Sequence, residues 1–565
     1  MPEINPIPIQ SSETFPVLKI PVRSICPVLV VLIVLAIGTL GSVPPVDRDS
    51  LTHHLYIPKL YLKHGGIYEI PSVEFSYYPM NLDMLYAAAL YFGNDILPKY
   101  IHFAFGLLTA GLIFNYLRFR LNTRFALYGV LLFLMVPVIV KLSITAYVDL
   151  GLIFFTLLSL IYIQKWAEND FRLKYLLFSA IGCGLGLGTK YNGLITLFLM
   201  TILVSFSFIR FSDLKTNRLL KPVGCTCLYL FVSLVIFSPW MIRNIVWKQN
   251  PVYPLYDSWF HRNAQISSTP ATEDGSNMPT KHMNHYLIRK FVFHESWWQT
   301  ASIPVRIFFD GKDDDPAKFD GKLTPLIFLL PFFSLLQFRS KKAHFQYEIQ
   351  TFIGFSGLFL LYAFVTTDMR IRYIAPIVPP LVILSIIGLH TLLTWIRAFR
   401  QHHFRLWVEI GLWIGILALC PIDYLIGQFT QVNPIPYLMG KLDRDAYITL
   451  YRPEYPVIQH ANRNLPETAR ILAIFLGNRG YYFDREVVFD MKLPLPGTGT
   501  TGLDTTVEGL LHRQGITHLL IRYDLFDQWL GSLTHQHRDI ISRFFQSRTR
   551  LLFSSGGHGL FTLQK

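Results

Sequence analysis

The chain has 565 residues, of which 52% are hydrophobic and 16% charged, and its mean hydropathy is +0.36. Soluble domains carry about 25% charged residues, and the apolar residues here recur in blocks of roughly 16–22, enough to cross a hydrocarbon layer about 30 Å thick. The composition therefore excludes an ordinary soluble protein and predicts an α-helical polytopic membrane protein.

The net charge of +14 is distributed in a way that argues against nucleic-acid binding. Lys and Arg lie in short segments between alternate apolar blocks, which is the pattern that sets membrane orientation. They form no contiguous patch interleaved with aromatic residues, as single-strand binding would need. We therefore expect membrane lipids, and no nucleic acid, among the partners of this chain.

Apolar segments divide the chain from its N-terminus onward. Residues 1–25 are polar and rich in proline, and they predict a cytoplasmic tail. Residues 26–425 predict about eleven transmembrane helices, at 26–43, 97–117, 125–140, 148–163, 175–188, 193–209, 223–240, 324–336, 352–365, 374–393 and 406–425. Alternating these spans puts the basic clusters at 118–120, 210–221, 339–342 and 397–405 on one side. The positive-inside rule then predicts a cytoplasmic N-terminus, external loops at 44–96 and 241–323, and an external C-terminal region.

The segment from Val43 to Tyr78 differs from the apolar runs on either side of it. It concentrates two carboxylates, Asp47 and Asp49, and two adjacent imidazoles, His53 and His54. The apolar spacing after Asp49 predicts a short amphipathic helix at 50–64, and Pro79 precedes a second one at 80–92. Such helices can lie in the membrane interface, so we interpret this loop as the floor of an active site.

The composition changes again after residue 425. Four short apolar runs predict strands at 469–476, 485–490, 518–523 and 551–555, and the segments 457–464, 506–514 and 537–546 predict helices. This alternation predicts that residues 426–565 form a small external α/β domain.

Charged side chains at the outer ends of the spans are the candidates for chemistry, because charge near lipid costs about 2.5–3.5 kcal/mol at a helix centre. The predicted topology puts acids, bases and a tyrosine on the external face: Asp47, Asp49, Asp149, Lys190, Tyr191, Arg243, Arg370 and Arg372. Cations can hold a phosphate, and a carboxylate can accept the proton of a hydroxyl nucleophile. The set therefore indicates an anionic, lipid-linked substrate that meets a hydroxyl group.

Each of these residues also has a simpler interpretation. A single Lys or Arg at the end of a span is commonly an interface anchor, and Asp49 or Asp149 can cap the helix that follows it. The two histidines can be metal ligands, although adjacent residues on a helix do not face the same way. Gly182, Gly184, Gly186 and Gly188 lie in an apolar span with no strand before them, so their spacing indicates close helix packing rather than a nucleotide loop.

Several motifs resemble one family of membrane proteins. DSLTHHLYIPKLYLKHGGIYEI and FSYYPMNLDMLY resemble the first external loop of GT-C fold glycosyltransferases, in particular the bacterial family 39-like and ArnT-like proteins. AYVDLGLIFF, GLGTKYNGL, SPWMIRNIVWKQNPVYPLY and RYIAPIVPP extend the resemblance in the right order to about residue 385.

The resemblance implies a function and assigns roles to residues. It implies an inverting transfer of a sugar from a polyprenyl-phosphate donor to a lipid, glycan or protein acceptor at the external face of the bacterial inner membrane, with a periplasmic or extracellular C-terminal domain. It assigns the essential acid of the first loop to Asp49, with Asp47 as the neighbouring alternative because Arg48 separates the two, and the second acid to Asp149. Some relatives use a divalent metal ion and others do not.

The substrate-binding residues follow from the same interpretation. We expect the donor and acceptor to contact His53, His54, Lys190, Tyr191, Arg243, Arg370, Arg372 and Tyr373. Two other functions remain open at this point, a lipid or glycan transporter and a non-catalytic envelope-assembly protein. A transporter would more often show paired repeats and ionisable groups at mid-span, whereas here the halves show no obvious internal match.

Overall fold

A computed structural model describes residues 22–211, 220–261, 285–339, 343–399, 402–495 and 506–564. Most of the predicted cytoplasmic tail lies outside these ranges. So do residues 262–284 of the predicted second external loop and the basic residues Lys215, Arg218, Lys341, Lys342 and Arg400.

The described residues contain seven helices that are long and apolar enough to cross a membrane. These are Leu97–Arg120, Asp149–Glu168, Gly193–Phe211, Leu220–Lys248, Ala343–Thr366, Ile371–Arg397 and His403–Val432. A bent pair, Thr123–Met135 and Pro137–Ser143, and three shorter apolar helices, Ile25–Gly41, Leu173–Leu187 and Leu326–Gln337, coincide with the other four predicted spans. The predicted fold class, an α-helical polytopic membrane protein, is confirmed.

The third predicted span is bent rather than continuous. Its two helices meet at 68°, and the break falls at Val136, which has extended backbone angles and precedes Pro137. Proline has no N–H to donate and disfavours helical angles in the residue before it, so the helix ends there. The second helix leads the chain back towards Tyr147 and Asp149, which follow it at the outer ends of the spans.

Glycines bring two of the membrane helices into close contact. A Cβ on Gly184 would lie 2.6 Å from the Ser233 carbonyl oxygen and 2.7 Å from Cβ of Ile236, both in Leu220–Lys248. Only glycine permits this approach between the helices Leu173–Leu187 and Leu220–Lys248. Gly188, two residues before Lys190, is equally tight, because a Cβ there would overlap Asn81 Nδ2.

Short helices cover the ends of the spans on the side predicted to be external. The first loop forms a π-helix, Ser50–His54, followed by Tyr56–His64, a 3-10 turn at Glu74–Tyr77, and Asn81–Tyr91. Helices are thus present in both ranges predicted, 50–64 and 80–92, and the first is divided at Leu55 into a π-helix and an α-helix. The described part of the second loop contains Asp257–Phe260, His285–Phe291, Trp297–Ala301, Ile303–Arg306 and Pro316–Lys318.

The C-terminal residues form a five-stranded sheet covered by helices. The strands are β1 (Arg470–Ile474), β2 (Glu486–Asp490), β3 (His518–Arg522), β4 (Thr549–Ser555) and β5 (His558–Leu563), in the order β2-β1-β3-β5-β4. β1 pairs in parallel with β2 and β3, whereas β5 pairs antiparallel with β3 and β4. Ile422–Val432 belongs to the last candidate membrane span. The helices that accompany the sheet are Pro434–Leu438, Arg444–Tyr451, Tyr455–Asn464, Val507–Arg513, Tyr523–Ser532 and His535–Arg548. The four predicted strands are confirmed, and β5 and Tyr523–Ser532 are additional elements.

The chain segment after β1 rests directly on the first external loop. The Tyr481 amide donates to the Leu51 carbonyl over 3.1 Å, and the Tyr482 hydroxyl donates to the Pro45 carbonyl over 2.7 Å. The Lys59 ammonium donates to the carbonyls of Tyr481 and Phe483, each over 2.9 Å. Because these bonds lie on both sides of Asp47 and Asp49, the C-terminal domain fixes the loop that carries the predicted acids.

Candidate active site

The carboxylate of Asp49 forms an ion pair with Arg372. Arg372 Nη1 donates to Asp49 Oδ2, although the two residues are 323 positions apart in the chain. About a fifth of each side chain is exposed, so the pair lies at the edge of the protein interior rather than in solvent. The first external loop and the start of the helix Ile371–Arg397 therefore meet at this point.

A second ion pair lies beside the first. Lys190 Nζ donates to Asp149 Oδ1 over 2.6 Å, and only 3% of the Asp149 side chain is exposed. Arg372 interacts electrostatically with Asp149 as well as with Asp49, so the two pairs share one site. The structure thus brings together four of the residues that the sequence predicted: Asp49, Asp149, Lys190 and Arg372.

The charge balance of the pair determines how Asp49 titrates. Burial alone would raise the pKa of its carboxyl group, but the Arg372 guanidinium and, more weakly, the two histidines hold that pKa well below its usual range. Asp49 is therefore ionised at any physiological pH.

Aromatic rings lie around the cations of the site. Arg372 lies over Tyr147 and Tyr373, with 5.5 Å and 5.3 Å from its guanidinium carbon to the ring centres. The Lys190 ammonium is 5.4 Å from the centre of the Tyr373 ring. Tyr373 was predicted as a site residue and Tyr147 was not. Both rings help to hold the cations in place through their π faces.

Arg243 borders this group of residues. Its Nη2 donates to the Tyr78 carbonyl over 2.9 Å, and its guanidinium lies over Trp240 and Trp247. Its Nη1 is buried and has no hydrogen-bond partner in the described part of the chain. The Tyr61 hydroxyl, which is also buried, interacts with this guanidinium.

Tyr191 has a bonding role within the protein. Its hydroxyl donates to the Tyr253 carbonyl over 2.9 Å and accepts from Asn244 Nδ2 over 3.0 Å. Its ring is 5.1 Å from that of Tyr78, so it supports the wall on which Arg243 lies. Its predicted contact with substrate stays a prediction.

Arg370 and Asp47 lie at the margin of the site. Arg370 Nε donates to Asp368 over 2.7 Å, and its Nη1 reaches Asp320 over 3.5 Å, so it faces the second external loop. Asp47 is partly buried and has no hydrogen bond through its carboxylate among the described residues. Of the two neighbouring acids, Asp49 is the one that joins the ion-paired group.

The two histidines occupy different environments. His53 Nδ1 shares a hydrogen bond of 2.9 Å with the Thr52 hydroxyl, and its ring stacks on Phe75 with 4.3 Å between the ring centres. His54 is buried, and its Nδ1 lies 2.8 Å from Oδ1 of Asp83, a buried acid on the helix Asn81–Tyr91. Sequence reasoning missed Asp83, because one acid within a short amphipathic helix gives no signal of its own.

The helix-cap interpretation of the two acids is not supported. Asp49 precedes the π-helix with helical backbone angles, and its side chain forms no cap hydrogen bond. Asp149 lies within the first turn of its helix, which has Val148 at the cap position. Both carboxylates are instead directed to cations.

The donor set does not fit a divalent metal ion. Among the described residues, no three His, Cys, Asp or Glu side chains come together as a possible metal site. Asp49 and Asp149 are each already paired with a cation, which opposes the binding of a second positive charge. No step of the reaction is assigned to a metal here.

An apolar groove lies between membrane helices below Arg372. It has a volume of about 270 Å³ and is lined by side chains of Leu326–Gln337, Ala343–Thr366 and Ile371–Arg397, together with Phe308. Ile377, which follows Arg372 by about one and a half helical turns, contributes to the groove, as do Leu381 and Leu384 further along the helix. The groove therefore extends along the same helix that carries Arg372.

Two crystal structures of ArnT from Cupriavidus metallidurans are similar to nearly the whole chain. The apo structure has 14% identity and a TM-score of 0.55, and the match covers 95% of this chain and 98% of ArnT. The structure bound to undecaprenyl phosphate has 12% identity and a TM-score of 0.55, with coverage of 96% and 98%. The chain has a GT-C fold.

The predicted resemblance to GT-C proteins is thereby confirmed at the level of the fold. Residues 84–242 also match the family model of dolichyl-phosphate-mannose-protein mannosyltransferases. This match includes Asp149 and Lys190 but neither Asp49 nor Arg372. No curated protein sequence matches the chain.

Proposed function

We propose that this protein is an integral-membrane glycosyltransferase that moves a sugar from a polyprenyl-phosphate-linked donor to a lipid, glycan or protein acceptor. The observation that carries the proposal is the meeting of Asp49 with Arg372 and of Asp149 with Lys190 in one site on a GT-C fold. The description of the matching family names a dolichyl-phosphate sugar donor, and ArnT has been crystallised with undecaprenyl phosphate.

The donor phosphate binds to Lys190, Arg243 and Arg372. Their charge supports this assignment, because Lys190 and Arg372 lie in one site and Arg243 has no carboxylate partner among the described residues. A phosphate oxygen accepts strong, charge-assisted hydrogen bonds from such cations.

The carrier lipid lies in the apolar groove below this phosphate site. The groove is open to the side and lined by aliphatic and aromatic side chains, with Ser356 as its one hydroxyl side chain among the lining residues. Because the bilayer is as apolar as the groove, prenyl units gain van der Waals contacts there rather than hydrophobic transfer energy. The carrier then places its phosphate beside Arg372.

Asp49 orients or deprotonates the acceptor hydroxyl, and Asp149 positions Lys190. A polyprenyl phosphate is already a good leaving group, so the cations contribute more by stabilising the departing phosphate than an acid would by protonating it. A direct attack by the hydroxyl oxygen on the anomeric carbon inverts the configuration there. Tyr191, Tyr373, His53 and Arg370 complete the proposed walls of the site.

The proposed location is the bacterial inner membrane, with the N-terminus cytoplasmic and the C-terminal domain periplasmic or extracellular. The distribution of Lys and Arg between the spans supports this orientation. In this orientation Asp49, Asp149, Lys190 and Arg372 lie at the external leaflet, where the acceptor is located.

The test is sugar transfer by the purified protein. A panel of undecaprenyl-phosphate sugars labelled in the sugar is supplied to the protein in lipid nanodiscs, and release of the label from the lipid is measured with and without membrane extract as the acceptor source. We expect Asp49→Asn to lower the rate by about 10²–10⁴-fold, because it removes the negative charge that orients or deprotonates the acceptor hydroxyl and leaves Arg372 without its ion-pair partner.

A matched substitution controls for the loss of a carboxylate as such. Asp527→Asn changes an exposed acid on the helix Tyr523–Ser532 and should leave the rate unchanged. Unimpaired transfer by both Asp49→Asn and Asp47→Asn would refute the assigned mechanism. Failure of the unmodified protein to release sugar from any donor would refute the function itself.

A further inference from the structure

We propose that His54, held by Asp83, accepts the proton of the attacking hydroxyl, so that the two residues form the general base of the site. This inference rests on the proposed function and adds to it a proton acceptor other than Asp49. Its starting point is the buried hydrogen bond between His54 Nδ1 and Asp83 Oδ1, which is 2.8 Å long.

The second ring nitrogen of His54 is the atom that remains for a substrate. Only 8% of His54 is exposed, and its one hydrogen bond in the described chain is made by Nδ1. Nε2 has no hydrogen-bond partner among the described residues, and it is not fully enclosed. A carboxylate on one nitrogen of an imidazole orients the ring and fixes which nitrogen carries the proton.

His54 also lies among the charges of the proposed reaction. It interacts electrostatically with the carboxylates Asp49 and Asp149 and with the cations Lys190 and Arg372. Its ring centre is 5.7 Å from that of Tyr147, which lies under Arg372. An imidazolium formed here faces two carboxylates, and their attraction offsets part of the cost of burying its charge.

Asp49 is less suited to the same task. One of its oxygens is held by Arg372, and the pKa of its carboxyl group stays well below the usual range even though burial opposes this. The pKa of Asp49 is held below that of His54, so of the two groups His54 accepts a proton more readily. Its remaining oxygen can accept a hydrogen bond and so align the hydroxyl.

In the proposed transfer step, these residues receive both the proton and the leaving group. The hydroxyl O–H bond breaks and its proton passes to His54 Nε2, while the oxygen forms a bond to the anomeric carbon. The bond from that carbon to the phosphate oxygen breaks, and its electron pair leaves with the polyprenyl phosphate beside Lys190, Arg243 and Arg372. The imidazolium then returns its proton to water.

Other titratable groups face the pair from each element packed against it. They are Asp49 and His53 on the first loop, Tyr61 on Tyr56–His64, Tyr86 on Asn81–Tyr91, His102 on Leu97–Arg120, Asp149, Lys190 and Arg372.

Burial dominates the titration of the pair. It raises the pKa of Asp83 to about 7 and lowers the pKa of His54 to about 4. Above pH 7, ionised Asp83 accepts the Nδ1 proton and leaves a lone pair on Nε2. Below pH 7, Asp83 carries a proton that it donates to Nδ1, so Nε2 bears hydrogen and cannot accept. The transfer rate should therefore fall as the pH decreases through about 7.

The experiment measures the pH profile of transfer in nanodiscs, with the undecaprenyl-phosphate sugar that the unmodified protein turns over. We expect His54→Ala and His54→Gln to lower kcat by about 10²–10⁴-fold without raising KM for the donor. Asp83→Asn should lower kcat and remove the decline near pH 7. Added imidazole should restore part of the rate to His54→Ala, an effect that a merely structural role of His54 would not produce.

A matched histidine provides the control. His64 is exposed at the end of the helix Tyr56–His64, with its ring stacked on Tyr68, and His64→Ala should keep the normal rate and pH profile. An unchanged pH profile in folded Asp83→Asn, or no imidazole rescue of folded His54→Ala, would overturn the proposal while leaving the glycosyltransferase function intact. If His54→Ala fails to fold, the pH profiles of Asp83→Asn and His54→Gln test the proposal instead. An unmodified protein that is inactive on every donor overturns both proposals.

Discussion

Arg243 differs from the other cations of the site in its partners. Lys190 and Arg372 each face a carboxylate, whereas no carboxylate lies within 4 Å of Arg243 among the described residues. Its guanidinium donates to the Tyr78 carbonyl and to the Asn244 amide oxygen, and it lies over two indole rings. Its removal therefore leaves no unpaired acid behind, which makes it the cleanest cation to test.

We predict that Arg243→Gln weakens donor binding and leaves the chemical step largely intact. A hydrogen bond to a charged group contributes about 1.5–3 kcal/mol, so KM for the donor should rise about 10–150-fold. Arg243→Lys should lose less, because it keeps the charge without the fork of donors. Steady-state kinetics check this, and an unchanged KM in both variants would contradict the assigned phosphate site.

Individual residues were predictable from the sequence where topology constrained them. Asp49, Asp149, Lys190 and Arg372 each stand at the external end of an apolar span, so counting spans was sufficient to bring them to one face. Asp83 was not predictable, because its significance depends on a histidine 29 positions away. Nor did the sequence indicate that Arg370 would pair with Asp368 and Asp320, since that choice depends on how the second loop folds.

The apolar groove is a property of three helices and is best tested on one of them. Gly357 lines the groove on Ala343–Thr366, and a Cβ there would meet no atom within 4 Å. Gly354 lies on the same helix, is equally free of close neighbours, and does not line the groove. The two glycines are therefore a matched pair. A side chain at position 357 enters the groove, one at position 354 does not, and neither strains the fold.

We predict that Gly357→Phe raises KM for a long-chain polyprenyl-phosphate donor by about tenfold, while Gly354→Phe does not. A tenfold change corresponds to about 1.4 kcal/mol of lost apolar contact. A donor whose lipid chain is too short to reach the groove should respond to neither substitution. Equal effects of the two substitutions on the long donor would argue against the groove as the carrier site.

Secondary structure was predictable where hydrophobic periodicity was long and less so where it was short. All eleven apolar segments form helices, and the four predicted strands exist. The break at Pro137 was missed because a 16-residue apolar run fits one span, and the proline was too close to its end to divide it. β5 was missed because its glycine, threonine and histidine dilute a six-residue strand whose pairing with β3 and β4 decides its conformation.

The orientation of the whole molecule gives a prediction that is independent of catalysis. We expect a cysteine at Asp527, exposed on Tyr523–Ser532, to react with a membrane-impermeant maleimide added to the external side. A cysteine at Lys221, exposed near the start of Leu220–Lys248, should react only from the cytoplasmic side. Right-side-out and inverted vesicles of a variant lacking the native cysteines provide the comparison. Labelling of both positions from the same side would invalidate the predicted topology.

The composition of the chain predicted how its domains are arranged but did not predict the contact between them. A fall in apolar content after residue 425 indicates a separate α/β domain. The hydrogen bonds from Lys59 to the carbonyls of Tyr481 and Phe483 join two backbone positions with a side chain, and no pattern of residue types encodes such a bond. The contact between the C-terminal domain and the first loop was therefore not predictable from the sequence.

The separation of Asp49 from Arg372 by 323 positions has a consequence for biogenesis. A ribosome that adds about 5–20 residues per second needs roughly 15–65 s to synthesise the stretch between them. For that time the nascent chain carries a carboxylate near the bilayer without its cation. A protein truncated before its tenth span would thus retain all of its earlier helices but lack the Asp49–Arg372 ion pair. Quality-control proteases would encounter an unpaired carboxylate at the membrane surface.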